Sequence, residues 1–380
     1  MEKLRTIYLD HAATTPIHKD VIGEMVQIME DVFGNPSSIH TQGRKARFII
    51  DKSREVVAQA IGAKDSEIIF TSGGTEADNI AVFGVAHSMK HKGNHIITTS
   101  IEHNAVNQAT SELERDGFTV TYLPVDEQGL VRVEDVKNAL TDKTILVSIM
   151  FANNEVGSLQ PIKEIGELLK EHQAVFHTDA VQAFGVVPID VNEYNVDLLS
   201  ASSHKINGPK GAGFLYVRSG VQIKPRQFGG SHEKKRRAGT ENITGIVGMR
   251  RAIEIFQSHL EEKQAYLQNL KTLLLQELEN YGVNYSVNGS LDQSVPHVLN
   301  LCFPQKHVER MLVQLDLAGV CVSGGSACSA GSIKPSHVLV AMYGEENPKN
   351  THSIRFSFGM TNTEEEVKEV ASIINKILNK

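Results

Sequence analysis

A glycine-rich turn at residues 71–79 has the residue types of a phosphate-binding loop. The segment reads Thr-Ser-Gly-Gly-Thr-Glu-Ala-Asp-Asn, between an apolar run at 68–70 and a helix-like run at 80–85. Such a turn presents free N–H groups and the positive end of the helix dipole to an anion, and Thr75 adds a hydroxyl. A plain strand-to-helix turn is the alternative. The chain lacks GxGxxG and GxxxxGK[ST], so no nucleotide-binding fingerprint is present.

Two charged residues follow strand-like runs later in the chain. Asp179 ends an apolar run, and a buried acid there needs a partner because a lone buried carboxylate is costly. A protonated heterocyclic nitrogen is one such partner; a cap on the next helix is the alternative reading. Lys205 lies among small, turn-forming residues, where a lysine of depressed pKa can form a Schiff base, although most lysines are solvated surface residues.

These three features are more specific together than singly. Pyridoxal phosphate needs an amine for its aldehyde, a carboxylate for its pyridine nitrogen and a cup of donors for its phosphate. Lys205, Asp179 and the 71–79 turn supply those parts, and Ser202 and His204 add phosphate donors. The sequence therefore indicates a pyridoxal-phosphate site.

One cysteine lies in a run of small residues. Residues 320–331 read Val-Cys-Val-Ser-Gly-Gly-Ser-Ala-Cys-Ser-Ala-Gly, a composition that packs poorly and predicts a mobile loop. Cys328 on such a loop could reach a substrate and carry a group away. Cys302 and Cys321 lie in apolar stretches and are expected to be buried, inert thiols. Three cysteines without a CxxC pair predict no disulfide framework.

Arg355 is a candidate for binding a carboxylate. It lies in an alternating stretch at 353–359, where a strand would point one guanidinium into a cleft; a structural salt bridge is equally consistent. His87 and His91 have the i,i+4 spacing of a chelating pair but no further ligands nearby, so we expect both to be solvated surface residues and expect no resident metal. The basic run at 234–237 is expected to be a solvated loop, with contact to RNA or an acidic protein as the alternative.

The elements that position these residues alternate between strands and helices. This alternation predicts an α/β fold with a large domain built on a mainly parallel sheet flanked by helices, whose ligands bind beyond the carboxyl ends of the strands. A helix-like stretch at 162–172 is one of the connections. The predicted strands are 68–72, 95–100, 119–125, 144–150, 174–180, 196–202 and 213–217.

The pattern of predicted helices and strands changes after about residue 255 and indicates a smaller α+β domain. A leucine-rich helix that stops at Gly282 precedes strand-like runs at 297–303 and 353–358. A last helix begins with Thr363 and its capping-box partner Glu366. The predicted division is 15–258 for the large cofactor-binding domain, and 1–14 with 259–380 for the small domain that carries the Cys328 loop.

Composition limits the class of protein. The 380 residues are 41 % hydrophobic and 22 % charged, which excludes a mostly disordered chain. The net charge of −7 argues against broad nucleic-acid or membrane binding, and the absence of Trp argues against base-stacking platforms. No signal-peptide core or membrane-length apolar run is present, so a cytoplasmic location is expected.

In their order along the chain, these residues resemble the cysteine desulfurases of the NifS/IscS type. These belong to the class-V aminotransferase family of fold-type I pyridoxal-phosphate enzymes. The resemblance runs over nearly the whole chain, and its motifs are highly specific together. They are residues 8–16, 34–38, 71–79, 102–103, 153–155, 177–182, 203–205 and 237–240, the Cys328 segment and Arg355.

The resemblance implies a role for each matching residue. Lys205, His103 and Cys328 would be catalytic: Lys205 holds the cofactor aldehyde, His103 stacks on the ring and moves protons, and Cys328 attacks sulfur. Asn154 and Arg355 would bind the substrate carboxylate. The implied cofactor-binding residues are Gly74, Thr75, His103, Asn154, Asp179, Gln182, Ser202, His204, Lys205 and, from the other subunit of a homodimer, Thr240.

The implied reaction removes sulfur from L-cysteine and gives L-alanine and a persulfide on Cys328. An acceptor protein would take that sulfur for iron–sulfur cluster assembly or tRNA thiolation, and Cys328 could ligate a cluster transiently. The chain departs from the commonest loop pattern at Gly324, where the family has a second serine after Ser323. Direct nucleic-acid or membrane partners are not expected.

Three alternatives remain at this point. A selenocysteine lyase, or a related pyridoxal-phosphate lyase or aminotransferase, would not need Cys328 for its main reaction. A non-catalytic scaffold would keep the fold, but loss of Lys205 or Asp179 would signal it and both are present. An RNA-binding protein using residues 234–237 would bind with a steep salt dependence.

Overall fold

The computed structural model describes residues 6–324 and 335–379 of the chain. The helices are α1 (Lys19–Asp31), α2 (Thr41–Gln59), α3 (Gly74–Met89), α4 (Asn104–Arg115), α5 (Val133–Ala139), α6 (Ile162–Leu169), α7 (Ile243–Gln257), α8 (Leu260–Asn280), α9 (Val308–Leu317), α10 (His337–Tyr343) and α11 (Glu364–Leu378). The strands are β1 (Ile7–Tyr8), β2 (Ile68–Thr71), β3 (His95–Thr99), β4 (Thr119–Leu123), β5 (Thr144–Ser148), β6 (Val175–Asp179), β7 (Leu198–Ser202), β8 (Gly213–Val217), β9 (Ser286–Asn288), β10 (Val298–Cys302), β11 (Val320–Cys321) and β12 (Ser353–Ser357).

A seven-stranded sheet in the order β2-β8-β7-β6-β5-β3-β4 forms the centre of the molecule. Only β8 runs antiparallel to its neighbours β2 and β7, whereas the β7-β6-β5-β3-β4 pairs are all parallel. Apart from the edge strand β4, in which only Leu123 is buried, the strands are short runs of buried, mostly β-branched or aliphatic residues, as expected for a sheet covered on both faces. The predicted α/β class with a mainly parallel sheet is confirmed.

Most central strands end one or two residues before their predicted ends. The run at 144–150 shows the physical reason, since the strand stops at Ser148. Beyond it, the backbone N–H of Met150 donates to a carboxylate oxygen of Glu102 (2.9 Å) instead of to a neighbouring strand. On the other side, the N–H of Ile149 still donates to the carbonyl of His177 in β6 (3.1 Å). The end of this run therefore keeps a strand partner on one side only.

A second hydrophobic core lies on the three-stranded sheet β12-β10-β9 and is covered by α8 and α11. Leu267, Leu270, Leu274 and Leu278 are buried on one face of α8, and each contributes about 1.5–3 kcal/mol through burial. Gly282 follows α8 with φ +67°, a left-handed conformation that favours glycine. The predicted capping box of Thr363 and Glu366 is present at the start of α11.

The N-terminal strand β1 joins this second core, although it is far from the core in sequence. Ile7 pairs with Val320 in a parallel register, and Ile7 and Leu9 pack within the cluster. The division at residues 14 and 258 stays a prediction. Among the described residues, no helix has both the length and the apolar character needed to cross a membrane.

Three side chains differ from the sequence-based expectation in their exposure. Cys302 is buried as predicted, but Cys321 is only half-buried because β11 is a two-residue strand. Within the basic run, Lys234 and Lys235 are exposed, whereas Arg237 donates from Nε to Glu76 (2.7 Å). His87, expected on the surface, is half-buried between Phe83 and Phe118.

Candidate active site

A cavity of about 460 Å³ opens at the carboxyl ends of the parallel strands. It is lined by residues from both ends of the chain. Every predicted site residue lines this cavity except Thr240 and Cys328; those present are Gly74, Thr75, His103, Asn154, Asp179, Gln182, Ser202, His204, Lys205 and Arg355. The fold thus gathers residues that lie up to 345 positions apart in sequence, from Asp10 to Arg355.

Lys205 lies in a single 3₁₀ turn, Ser203–Lys205, directly after β7. Its Nζ donates to the backbone carbonyls of Ala12 and Ala13, at 2.8 Å for the latter. Burial, reinforced by the positive charge of Arg355, lowers the pKa of Lys205 to about 8. A lysine amine with this pKa is partly neutral near physiological pH, which is the condition for attack on an aldehyde.

Asp179 is the last residue of β6 and is buried at the base of the cavity. Its Oδ1 accepts the N–H of Val181 (2.9 Å), so the carboxylate also makes the local turn that the alternative interpretation predicted. Burial raises its pKa, whereas His103, the Val181 N–H and Lys205 act in the opposite direction. No lysine or arginine of the described residues forms a salt bridge with this carboxylate.

Two glycines connect the 71–79 turn to α3, and glycine is favoured at each of them for a different reason. Gly73 has φ +153°, in the region that favours glycine. A Cβ on Gly74 would lie 2.6 Å from Cγ2 of Val181, so a side chain there would enter space that the cavity wall already fills. Gly74 and Thr75 thus line the cavity at the start of α3, where the first backbone N–H groups of a helix have no partner within the helix.

Two further donors lie beside this helix terminus. Ser202 ends β7, and His204 follows in the 3₁₀ turn. Burial, with the charges of Lys205 and Lys210, lowers the pKa of His204 to about 4, so the ring is neutral. Its Nδ1 lies 3.1 Å from Oγ1 of Thr14. The predicted phosphate donors are thus assembled around one end of the cavity.

Gln182 is held in a fixed orientation by two partners. Its Nε2 donates to the carbonyl of Ala12 (2.9 Å), and its Oε1 lies 3.2 Å from Nε2 of His297. Burial keeps the pKa of His297 well below its ordinary value, so this ring is neutral and donates from Nε2. The second N–H of the Gln182 amide has no partner among these contacts and is available to an acceptor in the cavity.

His103 begins α4 as its N-cap residue. Its Nδ1 accepts the N–H of Ala105 (3.2 Å), which leaves Nε2 as the nitrogen that can donate. Single atoms of His103, Asp78 and Asp179 lie within 4.8 Å of one another. The imidazole therefore lies over the carboxyl groups at the base of the cavity.

Arg355, in the middle of β12, is buried and is held on two sides. Nη1 donates to the backbone carbonyl of Asn154 (2.9 Å), and Nη2 donates to Oδ1 of Asp10 (2.8 Å). Arg355 therefore lines the cavity and also forms the salt bridge that the alternative interpretation predicted, whereas its binding of a substrate carboxylate stays a prediction. Its Nε is buried without a hydrogen-bond partner in the described part of the chain.

The two remaining candidates are not in the cavity as described. Cys328 lies outside the described residues, but the chain on both sides of that segment is anchored at the cavity. Ser323 forms a backbone bridge with Arg355, and Ser336 donates to Oε2 of Glu155 (2.5 Å). Thr240 is exposed, and its predicted place is the site of a second subunit.

Sequence reasoning missed several cavity residues: Asp10, Asp78, Glu155 and His337. A signal existed for Asp78, which lies four residues after Gly74 and so on the same face of α3. His337 begins α10 directly after the Cys328 segment, and its Nε2 donates to the carbonyl of Glu102 (2.9 Å). Asp10 lies in a quoted motif, but its pairing with Arg355 depends on the tertiary fold.

Comparison with known proteins identifies the family. Residues 7–370 match the model of the Aminotransferase class-V family. A protein of Bacillus subtilis (strain 168), provisionally named cysteine desulfurase IscS 1, is 55 % identical over 99 % of this chain and 100 % of its own length. The cysteine desulfurase IscS of Methanosarcina thermophila is 47 % identical over 99 % of this chain and 93 % of its own. The solved structure of a NifS-like protein superposes with a TM-score of 0.92 at 37 % identity, covering 98 % of this chain and 99 % of that one.

This chain therefore belongs to the class-V aminotransferase family. Within that family it belongs with the cysteine desulfurases of the IscS/NifS type.

The cavity fits the cofactor of this family, pyridoxal 5'-phosphate. Its aldehyde needs the amine of Lys205, and its pyridine nitrogen needs the buried carboxyl of Asp179. Its phosphate needs the open helix terminus at Gly74 with Thr75, Ser202 and His204.

Proposed function

We propose that this protein is a cysteine desulfurase that transfers the sulfur of L-cysteine to Cys328 and then to an acceptor. The proposal rests on the observation that the candidate catalytic residues and the segment leading to Cys328 meet at one cavity. Lys205, Asp179 and Arg355 meet in one cavity, and Ser323, five residues before Cys328, lines that cavity as well. Five extended residues reach about 16–18 Å, which is enough for a side chain to enter the cavity.

When bound, pyridoxal phosphate supplies an electron sink for the bonds at the substrate α-carbon. The amine of Lys205 would hold the cofactor, and its Nζ would accept the α-proton of the substrate. A pKa of about 8 suits a base that works near neutral pH. Asp179 holds a proton at the ring nitrogen, and Gln182 offers its free amide N–H to the ring oxygen.

Arg355 binds the substrate carboxylate, and Asn154 fixes the guanidinium through its backbone carbonyl. The planar, doubly donating face of arginine matches a carboxylate, which orients the α-carbon over the cofactor. In the free protein, one Nη of this face is bound to Asp10. Substrate therefore binds at an arginine whose position the protein already fixes.

Cys328 accepts the sulfur. Its thiolate attacks the sulfur of the substrate, a sulfur–sulfur bond forms, and the carbon–sulfur bond breaks with its electron pair left on carbon. Protonation of that carbon gives L-alanine, and Cys328 keeps the persulfide. The persulfide passes to a sulfur acceptor for iron–sulfur cluster assembly or tRNA thiolation.

The protein acts as a homodimer in this proposal. Large apolar side chains stand exposed on the single chain, among them Phe33 (78 %), Ile39 (90 %) and Phe228 (86 %), and water-exposed apolar groups of this size favour an interface. Thr240 then reaches the phosphate site of the second subunit. Light scattering at micromolar concentration gives twice the chain mass if this part is correct, and 41.8 kDa if it is wrong.

Sulfide release tests the activity. We expect the holoenzyme with L-cysteine and a reducing thiol to produce sulfide and alanine in equal amounts. Cys328→Ala removes both products, whereas Cys321→Ala, the matched control at a half-buried cysteine seven residues earlier, keeps them. Equal sulfide release by the Cys328 variant and the parent would remove Cys328 from the proposal.

A further inference from the structure

Asp78 on α3 is a buried carboxyl group that the proposed mechanism does not use. It is 1 % exposed, it lines the cavity, and its Oδ1 has no hydrogen-bond partner in the part of the chain that the structure describes. The Ser200 hydroxyl forms a hydrogen bond with the carboxyl group, but one neutral donor does not offset the cost of a buried negative charge. Asp78 must therefore either face a cation or hold a proton.

The ring nearest to Asp78 supplies no charge. Nε2 of His177, on β6, lies 3.6 Å from Oδ1 of Asp78. Burial lowers the pKa of His177 to about 3, so this ring is neutral at physiological pH. Its two nitrogens also have other partners, Ser148 on β5 (2.8 Å) and Ser200 on β7 (3.0 Å).

The other titratable groups that face Asp78 are mostly acids. Asp179, at the end of β6, adds negative potential at Asp78. Glu102, just after β3, adds to it only when ionised, and burial raises the pKa of Glu102 to about 8. His103 on α4 reaches both aspartates, with one atom of each of the three within 4.8 Å of the others. Because Nδ1 of His103 already accepts the N–H of Ala105, only its Nε2 can donate to a carboxyl group, and it can serve only one of the two aspartates. Two adjacent buried carboxyl groups do not both ionise readily, so one of the two aspartates holds a proton.

The surroundings decide which aspartate is protonated. Asp179 accepts a backbone N–H from Val181, and Lys205 and His103 favour its ionised form. No basic group acts on Asp78: burial, followed by the charge of Asp179, raises its pKa well above the ordinary value, and the Ser200 hydrogen bond lowers it only in part. The proton therefore resides on Asp78.

We infer that Asp78 is a neutral carboxylic acid, so that Asp78 and Asp179 together present a single negative charge, borne by Asp179, to the cofactor. Asp78 is then a positioning residue that acts through Asp179. It leaves the base of the cavity with one negative charge, which matches the single N–H of the cofactor's pyridine ring. The role of this pair toward the cofactor rests on the proposed function, whereas the protonation of Asp78 does not.

Infrared spectroscopy tests the protonation directly. We expect the purified holoenzyme at pH 7 to show the carbonyl stretch of a protonated carboxylic acid, and Asp78→Asn to remove it from the wild-type minus variant difference spectrum. Glu102→Gln is the matched control, because burial also raises the pKa of Glu102, to about 8. It removes its own band and leaves that of Asp78. A difference spectrum that shows only an ionised carboxylate for Asp78 overturns the inference.

The pH dependence of unfolding is the second readout, on the full chain freed of cofactor. The folded state keeps a proton on Asp78 that the unfolded state loses above about pH 4. Raising the pH therefore favours unfolding of the wild type relative to Asp78→Asn. The ratio of their unfolding equilibrium constants rises by up to about tenfold per pH unit from pH 4 until Asp78 ionises. A ratio independent of pH overturns the inference.

Cofactor binding separates positioning from packing. Asn keeps the shape and stays neutral, so Asp78→Asn should bind pyridoxal phosphate within about threefold of wild type, whereas Asp78→Ala, which leaves a cavity, binds it more weakly. Weakening of tenfold or more in Asp78→Asn would mean that an ionised Asp78 is needed. If the asparagine variant does not fold, an infrared pH titration of the Glu102→Gln variant alone decides the point. None of these measurements uses sulfide release, so a negative desulfurase assay would leave their outcomes unchanged.

Discussion

Ser323 and Arg355 exchange both of their backbone hydrogen bonds, with N–H to carbonyl distances of 3.2 Å from Ser323 and 2.7 Å from Arg355. The segment that leads to Cys328 is thus fixed to the residue whose guanidinium lines the cavity. The guanidinium that would bind the substrate carboxylate and the cysteine five residues beyond Ser323 therefore both belong to segments joined by this pair of hydrogen bonds. This pairing connects the sulfur-accepting segment to the substrate site.

Replacement of Lys205 removes the amine that holds the cofactor and accepts the α-proton. We expect Lys205→Ala to lower alanine formation by about three orders of magnitude or more, because both covalent attachment and proton transfer are lost. The check is alanine production at saturating cysteine, together with the cofactor absorbance band. Lys210→Ala, a change at a lysine five residues later, serves as control. Activity of Lys205→Ala within tenfold of wild type would contradict the assignment.

Arg355→Lys keeps a positive charge but removes the doubly donating face. Loss of a charge-assisted hydrogen bond costs about 1.5–3 kcal/mol, so we expect kcat/KM for cysteine to fall by about tenfold to a hundredfold. Cofactor affinity should change little, since Arg355 contacts Asn154 and Asp10. Steady-state kinetics with a parallel cofactor titration measure both. A variant that loses affinity for the cofactor but keeps the wild-type KM for cysteine would contradict the assignment of Arg355 to the substrate carboxylate.

The close approach of Gly74 and Val181 at the 71–79 turn predicts how substitutions at these two residues combine. A Cβ on Gly74 lies 2.6 Å from Cγ2 of Val181, so Gly74→Ala should weaken cofactor binding through a steric cost of about 1–3 kcal/mol. Val181→Ala removes the opposing methyl groups, and the double variant Gly74→Ala with Val181→Ala should recover most of the affinity. Equilibrium dialysis with pyridoxal phosphate provides the measurement. Absence of any recovery would show that the clash is not the cause.

Buried lysines make stability depend on pH above neutrality. Burial lowers the pKa of Lys271, on α8, to about 8. Between that value and about 10.4 the unfolded state binds more protons than the folded state, so the free energy of unfolding rises with pH there. Lys271→Met should show a smaller rise between pH 8 and 10 in chemical denaturation than the wild type does. An identical rise in both proteins would exclude Lys271 as a source.

The sequence predicted the sheet and most of the cavity because both depend on local patterns. Strand ends carry Asp179 and Lys205, and the turn before α3 carries Gly74 and Thr75, so each lies where a short motif already suggested a ligand. The capping box at Thr363 is equally local. These features need no knowledge of which elements meet.

The contacts that could not be predicted join distant parts of the chain. His297 orients Gln182 across 115 positions, and Asp10 meets Arg355 across 345. Strand ends were also misplaced where tertiary partners capture a backbone group, as Glu102 does at Met150. No periodicity or motif encodes such pairings, since they depend on how the two cores dock.

The central claim is that Cys328 receives sulfur from L-cysteine. Mass spectrometry of the holoenzyme after one equivalent of L-cysteine without reductant tests it most directly. We expect the peptide that contains Cys328 to gain the mass of one sulfur atom, with one alanine released per site and with the peptides of Cys302 and Cys321 unchanged. Alanine formed while the added sulfur is absent from Cys328, or present on another cysteine, would contradict the account.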